Sequence, residues 1–174
     1  ATGAYRQSRR RGLDLPATYE LIDDAVADQF GEERFVTGQL VTLDVADGTL
    51  RWISAGHPHP LLLRRGRLAS ELVSEPSIPL GLGGKPVVIA TESLEPGDSL
   101  LFFTDGVVEA RSPDGERFGQ QRLVDFTRRA LADQQTVAET VRRLVRSVRL
   151  HRDGPPRDDA TLLFVEWHGG QSSS

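Results

Sequence analysis

Two apolar runs in this chain each meet a carboxylate, and this arrangement strongly constrains what the chain can fold into. One run is Leu101–Val107, which contains Asp105, and the other is Arg157–Val165, in which Asp158 and Asp159 precede the apolar residues. Apolar runs of this length are typical of buried strands, so each carboxylate is expected at the rim of a core. A charge there is costly unless it is paired or binds a metal. Two such rims, far apart in the sequence, favour a divalent-cation site.

The residues around these carboxylates also allow simpler interpretations. Asp105 is followed by Gly106, which has no side chain and lets another backbone or an ion approach closely. The same two residues can equally form an ordinary Asp-Gly turn. Asp158 and Asp159 can cap a strand or lie in a surface turn. Since adjacent strand residues point to opposite faces, we expect only one of Asp158 and Asp159 to face an ion.

Composition sets limits on the class of protein. The chain has 174 residues, 38% of them hydrophobic and 26% charged, which predicts one soluble globular domain, assigned to residues 1–168, and a flexible Gly/Ser-rich tail over 169–174. The net charge of −4 does not favour nucleic-acid binding. No apolar run approaches the ~20 residues of a transmembrane helix, so we expect no membrane segment. The absence of cysteine excludes a thiol nucleophile and is compatible with the cytoplasmic location that we predict.

The pattern of apolar residues predicts helices at both ends of a central group of strands. A helix ends at Gly12, and a second begins near Pro16, carries Leu15, Tyr19, Ile22, Val26 and Phe30 on one face and ends at Gly31. Two later helices are expected around 123–131 and after Thr136, which forms a capping box with Glu139. Residues 74–85 read as a loop, and the predicted strands are 35–45, 49–54, 60–64, 67–72, 87–94, 99–104 and 160–167.

The turns between these strands decide the fold class. Asp47–Gly48 is a strong hairpin signal, and Arg65–Gly66 is a second candidate. Tight hairpins exclude a doubly wound parallel sheet, so the class is α+β. Periodicity alone leaves open whether the strands form a helix-covered sandwich or an open sheet.

A series of ordered motifs resembles the metal-dependent protein phosphatases (PPM, or type 2C), and within them the bacterial SpoIIE/RsbU branch. The resemblance runs from about Ala1 to about Trp167. The motifs that carry it are Phe35–Gly38, Ser54–Pro58, Pro79–Leu82, Phe103–Ala110, Phe118–Gly119 and Asp158–Thr161. It implies an αββα sandwich of two mostly antiparallel sheets flanked by helices. The family's first metal motif, an Asp-containing strand followed by a Gly-His-Gly turn, is expected upstream of Ala1, so the sandwich is expected to lack its N-terminal strand or strands here.

The resemblance also implies a function. It predicts a protein serine/threonine phosphatase that hydrolyses phosphoserine or phosphothreonine on a regulatory protein, commonly an anti-sigma-factor antagonist. Two Mn²⁺ or Mg²⁺ ions ~3.5–4 Å apart would activate a water for in-line attack. The implied metal residues are Asp105, Asp158 and Asp159, with Asp158 the direct ligand and Asp159 in the neighbouring polar position. Gly106 and Glu109 lie beside these ligands, and Glu109 stays open as an ordinary surface residue. No catalytic group beyond the metal ligands is predicted.

Two further groups of residues invite functional interpretations that we do not favour. His57 and His59 are each followed by a proline, Pro58 and Pro60, which fix an extended turn. Since the family's metal site is built of carboxylates, we interpret both histidines as part of a structural turn. Arg9–Arg11 could contact a phosphoprotein, but such a run is more often the solvated end of a helix.

The alternative function is a non-catalytic, phosphatase-like interaction module, with self-association as a homodimer through the first two helices. A two-metal nuclease is disfavoured by the acidic balance and the lack of a basic, aromatic groove. Because the bridging Asp of the family belongs to the upstream motif, we expect weak metal affinity and little turnover from these 174 residues alone.

Overall fold

The computed structural model describes residues 1–31, 34–65, 67–75, 77–83, 87–133, 135–152 and 159–170. The chain forms two compact units. The first comprises Ala1–His59, Val73–Leu94 and Gly170–Ser174, and the second comprises Pro60–Leu72 and Glu95–Gly169. Both contain antiparallel strands and helices, so the α+β class and the two antiparallel sheets predicted from the sequence are confirmed. None of the helices within the described ranges has the length and apolar character needed to cross a bilayer.

The first unit contains two helices and a three-stranded sheet. Its strands have the order β1-β2-β5, and all pairs are antiparallel. The hairpin predicted at Asp47–Gly48 joins β1 to β2. The bounds of the elements are α1 Thr2–Arg11, α2 Leu15–Phe30, β1 Gly38–Leu43, β2 Thr49–Ala55 and β5 Ala90–Ser93.

Helix α2 forms for the reasons visible in its sequence. The Asp14 side chain accepts a hydrogen bond from the Ala17 N–H (2.9 Å), and Pro16 lies in the first turn. The predicted apolar face is buried at four of its five positions, whereas Phe30, in the last turn, is 40% exposed. The buried residues pack with strand β2 and with Leu80 in one core.

Two buried polar groups of α2 hold the loop that follows Val73. The Tyr19 hydroxyl donates to the Ile78 carbonyl (2.7 Å), and the Asp23 carboxylate accepts from the Gly81 N–H (2.6 Å). At Gly81, whose φ is +99°, a Cβ would lie 2.6 Å from Val26 Cγ1, so only glycine fits. The predicted loop is therefore fixed to α2 by specific hydrogen bonds.

The second unit contains a four-stranded sheet and three helices. Its strands have the order β4-β3-β6-β7, and every pair is antiparallel. The predicted hairpin between β3 and β4 is present, with Arg65 at φ 52° and Gly66 outside the described residues. The bounds are β3 Leu61–Arg64, β4 Arg67–Glu71, β6 Asp98–Phe103, α3 Asp105–Val108, α4 Gln120–Ala132, α5 Val137–His151 and β7 Leu162–Trp167.

The predicted elements differ from the observed ones in three places. The strand expected over 87–94 is confined to Ala90–Ser93, and the strand expected over 35–45 is confined to Gly38–Leu43. Helix α3 is not predicted at all, since a single turn of four residues is too short to give a periodic pattern.

The start of β6 is fixed by a buried ion pair. Asp98 is 1% exposed and accepts two hydrogen bonds from Arg64 Nε and one from its Nη2, at 2.7–3.1 Å. It also accepts from the Glu95 N–H (2.8 Å). A buried carboxylate with this many donors joins the end of β3 to the start of the neighbouring strand β6.

We expect Asp98→Ala to lower the free energy of unfolding by about 2–3 kcal/mol, because it removes the buried carboxylate that accepts hydrogen bonds from the half-buried Arg64 guanidinium and from the Glu95 N–H. Glu95→Gln is the matched control. The Glu95 carboxylate also pairs with Arg64 (3.0 Å), but its side chain is 51% exposed, so about 0.5 kcal/mol is expected. Urea unfolding of both variants measures the difference, and equal losses would contradict the assignment.

A second prediction concerns alkaline pH. Burial, and then the charge of Asp23, raise the pKa of Tyr19 above its usual value of about 10. The folded state thus favours the neutral phenol, and this contribution is full below pH ~10 and lost as the pH rises toward the raised pKa.

We therefore expect Tyr19→Phe to cost about 1 kcal/mol at neutral pH, through loss of the bond to Ile78, and less between pH ~10 and ~11. The control is Tyr5→Phe, which changes the other tyrosine, 48% exposed in α1. Urea unfolding at several pH values measures both. A cost of Tyr19→Phe that does not fall with pH would contradict the prediction.

Candidate metal centre

Asp105 begins helix α3 directly after strand β6. Strand β6 ends at Phe103, Thr104 remains extended, and the chain then makes one helical turn. Val107 is buried in the core of the second unit, which fixes the direction of the turn. The Asp105 side chain is exposed, and its Oδ1 accepts a hydrogen bond from the Gly106 N–H (3.0 Å). The core therefore anchors the turn while the carboxylate stays accessible.

The pairing of β6 with β7 brings the second acidic segment to the same rim. The two strands are antiparallel, with Phe103 opposite Leu162, so the residues preceding β7 lie beside those following β6. The last strand, predicted over 160–167, therefore lies next to the strand that ends before Asp105. Asp159 lies at this rim with an exposed side chain, and Asp158 lies outside the described residues.

Thr104 makes the link between the two segments. Its N–H donates to the Thr161 carbonyl (3.1 Å), and its Oγ1 accepts from the Thr161 N–H (2.9 Å). The same hydroxyl donates to the Asp159 carbonyl (3.3 Å). This role of Thr104 was not predicted from the sequence. A Thr directly before an Asp-Gly pair at the end of a strand was the available signal.

Gly106 allows the closest approach between the segments. A Cβ placed on Gly106 would lie 2.4 Å from the Asp159 carbonyl oxygen, a separation that real Cβ atoms do not show. The expectation that this glycine admits another backbone is therefore confirmed. The approaching group is the main chain of Asp159, which becomes a direct neighbour of the Asp105–Gly106 peptide.

Glu109 and Arg152 complete the surroundings of α3. The exposed Glu109 carboxylate pairs with Arg117 Nη1 (3.3 Å). Glu109, whose role was left open by the sequence, thus forms an ion pair with the loop after α3. The Arg152 guanidinium donates from Nη2 to the Gly106 carbonyl (2.8 Å). No signal in the sequence indicated this contact, because Arg152 follows helix α5 and lies outside both acidic motifs.

The donor atoms at the rim are those that hard cations prefer. Asp105 and Asp159 offer carboxylate oxygens, which suit Mg²⁺ or Mn²⁺ rather than a soft metal. Within the described ranges, His, Asp and Glu side chains do not gather in threes in a way that could hold a metal ion. The described rim thus fits such a cation by the chemistry of its donors.

The other candidate groups lie elsewhere. His57 and His59 are half-buried in a turn of the first unit, where the His57 carbonyl accepts from Ser54 Oγ (3.2 Å) and the Pro58 carbonyl accepts from Gln39 Nε2 (2.8 Å). These main-chain bonds agree with the interpretation of the segment as a structural turn. Arg9–Arg11 form the exposed last turn of α1. A partner for them stays a prediction.

We expect Gly106→Ala to lower the free energy of unfolding by about 2 kcal/mol, because the new methyl group must push the Asp159 main chain away. Gly3→Ala is the matched control, since a Cβ there meets nothing within 4 Å. Urea unfolding compares the two variants. A Gly106→Ala protein as stable as the control would contradict the close packing at this position.

The chain is similar in sequence and fold to several known proteins. Residues 1–168 match the family described as stage II sporulation protein E (SpoIIE). Protein IcfG of Synechocystis sp. is 28% identical over 148 residues, which are 83% of this chain and 23% of IcfG. The solved RsbU and RsbW domains of Rv1364c from Mycobacterium tuberculosis are 27% identical, with a TM-score of 0.73, and the match covers 98% of this chain and 46% of that one.

A third similar protein shares the fold at lower identity. The phosphatase domain of SpoIIE from Bacillus subtilis, presoaked with Mn, is 18% identical with a TM-score of 0.60, over 99% of this chain and 74% of that one. This chain therefore spans about a quarter of the length of IcfG and less than half of the Rv1364c chain. Since the family match covers nearly all of its residues, the chain belongs to the SpoIIE family, the SpoIIE/RsbU-like branch of the metal-dependent protein phosphatases.

Proposed function

We propose that this domain hydrolyses phosphoserine or phosphothreonine on a regulatory protein, in a reaction that depends on Mn²⁺ or Mg²⁺. The observation that carries the proposal is the junction of the Asp105–Gly106 peptide with the Asp159 main chain at the end of the β6–β7 pair. This junction brings two acidic motifs, distant in sequence, to one rim. Membership of a family of protein phosphatases supplies the reaction class.

Asp105, Asp158 and Asp159 are the residues that would hold the metal. When bound, a pair of divalent ions lowers the pKa of a water and orients it for in-line attack on a phosphate ester. Asp105 contributes an accessible carboxylate on a turn that the core fixes through Val107. Thr104 and Gly106 keep the Asp159 main chain against that turn. No thiol phosphoenzyme is involved, since the chain has no cysteine.

The substrate is proposed to be a phosphoprotein rather than a small phosphate ester. The support is analogy: the solved Rv1364c chain contains an RsbU domain and an RsbW domain, and the SpoIIE structure is the phosphatase domain of a cell fate determinant. In line with the predictions from the sequence, the proposed substrate is a small anti-sigma-factor antagonist and the proposed location is the cytoplasm. The SpoIIE domain's presoaking with Mn supports the choice of metal.

The test is a phosphatase assay on the full-length protein. Mn²⁺- or Mg²⁺-dependent hydrolysis of p-nitrophenyl phosphate is expected, and Asp105→Asn should reduce it roughly 100-fold or more, because the substitution keeps the size of the side chain and removes the charge that holds the ion. Asp114→Asn is the matched control. It removes the same charge from an exposed turn of the same unit and should leave the activity unchanged.

Two results would overturn parts of this proposal. Full activity in the Asp105→Asn protein would remove Asp105 from the metal site. A full-length protein that folds and binds its partner but shows no metal-dependent hydrolysis would instead favour the non-catalytic interaction module.

A further inference from the structure

The C-terminal end of helix α5 is attached to the first turn of α3. Helix α5 ends at His151, and Arg152 leaves it with an extended backbone (φ −73°, ψ 148°). The half-buried Arg152 side chain then donates from Nη2 to the Gly106 carbonyl at 2.8 Å. A hydrogen bond from a cationic donor at this distance is stronger than one between neutral groups.

Gly106 is therefore contacted on two sides. The Asp159 carbonyl oxygen lies against its α-carbon, and the Arg152 guanidinium lies on its carbonyl oxygen. Arg152 and Asp159 are the two described residues on either side of 153–158. The chain thus reaches the same glycine just before and just after the stretch that contains Asp158.

Helix α3 needs outside partners of this kind. It has four residues, and an isolated turn is unstable because forming it orders several dihedral angles for one hydrogen bond. The Val107 N–H donates to the Thr104 carbonyl (3.0 Å) and the Glu109 N–H to the Asp105 carbonyl (2.8 Å), while the Val108 carbonyl accepts from the Gly119 N–H (2.9 Å). The Arg152 guanidinium supplies the donor for the Gly106 carbonyl between them. The backbone that carries Asp105 is thus held by groups from elsewhere in the unit.

We propose that Arg152 is a positioning residue for the metal centre: it acts through the Gly106 carbonyl to hold Asp105 in a metal-binding orientation. The inference rests on the proposed function, since it assumes that Asp105 binds the cation. Arg152 itself touches neither the metal nor the substrate. Its loss loosens the first turn of α3, so more of the binding energy of the cation is spent on ordering Asp105.

The first experiment needs no metal and uses amide hydrogen exchange of this chain, measured by NMR. Arg152→Met removes the donor and keeps an apolar stem, and it should speed exchange of the Val107 and Glu109 amides roughly tenfold. Exchange in β6 should be unchanged. The control is Arg149→Met, which removes the same charge from an exposed position in the last turn of α5.

The second experiment measures metal dependence in the full-length protein. Arg152→Met should raise the half-saturating Mn²⁺ concentration roughly tenfold, with kcat at saturating Mn²⁺ near the wild-type value. Arg152→Lys keeps a cationic donor and should restore most of the metal affinity. If Arg152→Met fails to fold, Arg152→Lys is measured in its place. A residue needed only for stability would lower the melting temperature without moving the half-saturating concentration.

The outcomes separate this inference from the proposed function. If Asp105→Asn does not weaken Mn²⁺ binding, the metal site is wrongly placed and the proposed function fails, while the exchange measurement still tests the contact. If Asp105→Asn abolishes binding but Arg152→Met matches Arg149→Met in both measurements, the role of Arg152 is overturned.

Discussion

The antiparallel pairing of β6 with β7 is the interaction on which the candidate centre depends. Six residue pairs in continuous register, from Asp98 with Trp167 to Phe103 with Leu162, fix where each strand ends. A shift of one residue would turn the buried Leu101 and Phe103 to the other face of the sheet, so the core itself enforces the register. The ends of both acidic motifs are therefore placed by apolar packing and not by their own charges.

Glycine and threonine, rather than acidic residues, make the junction at that rim. Gly106 allows the Asp159 main chain to come closer than a residue with a side chain would permit. The Thr104 hydroxyl accepts a hydrogen bond from the Thr161 N–H, just before the start of β7. The carboxylate of Asp105 remains exposed because these contacts use only main-chain atoms and the Thr104 hydroxyl. Because the contacts between the two segments do not use the Asp105 carboxylate, they can persist when that carboxylate binds an ion.

Buried carboxylates elsewhere in the chain have the opposite role. Asp98 is saturated by Arg64 and a main-chain amide, and Asp23 accepts from the Gly81 amide. Each fixes a segment of its own unit, Asp98 at the start of β6 and Asp23 at the loop beside α2. Burial with full hydrogen bonding makes a carboxylate structural, whereas exposure at a shared rim leaves it available for a cation.

The sequence by itself determined the local features of this protein. The ends of α2, the Asp47–Gly48 hairpin, the α+β class and the family follow from cap residues, turn residues and apolar spacing, all of which act over a few positions. The same local signals marked Asp105 and Gly106 as special. They overestimated β5 and missed α3, because short elements are decided by packing rather than by propensity.

Only the tertiary structure decided which distant groups meet. The contacts of Thr104 with Asp159 and of Arg152 with Gly106 join residues more than 40 positions apart, and nothing in the residue types specifies them. They exist because the β6–β7 register and the position of the end of α5 are set by burial of the shared core, which includes Leu101, Phe164 and Val148. The local sequence determines which secondary structure each segment prefers, and burial of the common core determines which segments become neighbours.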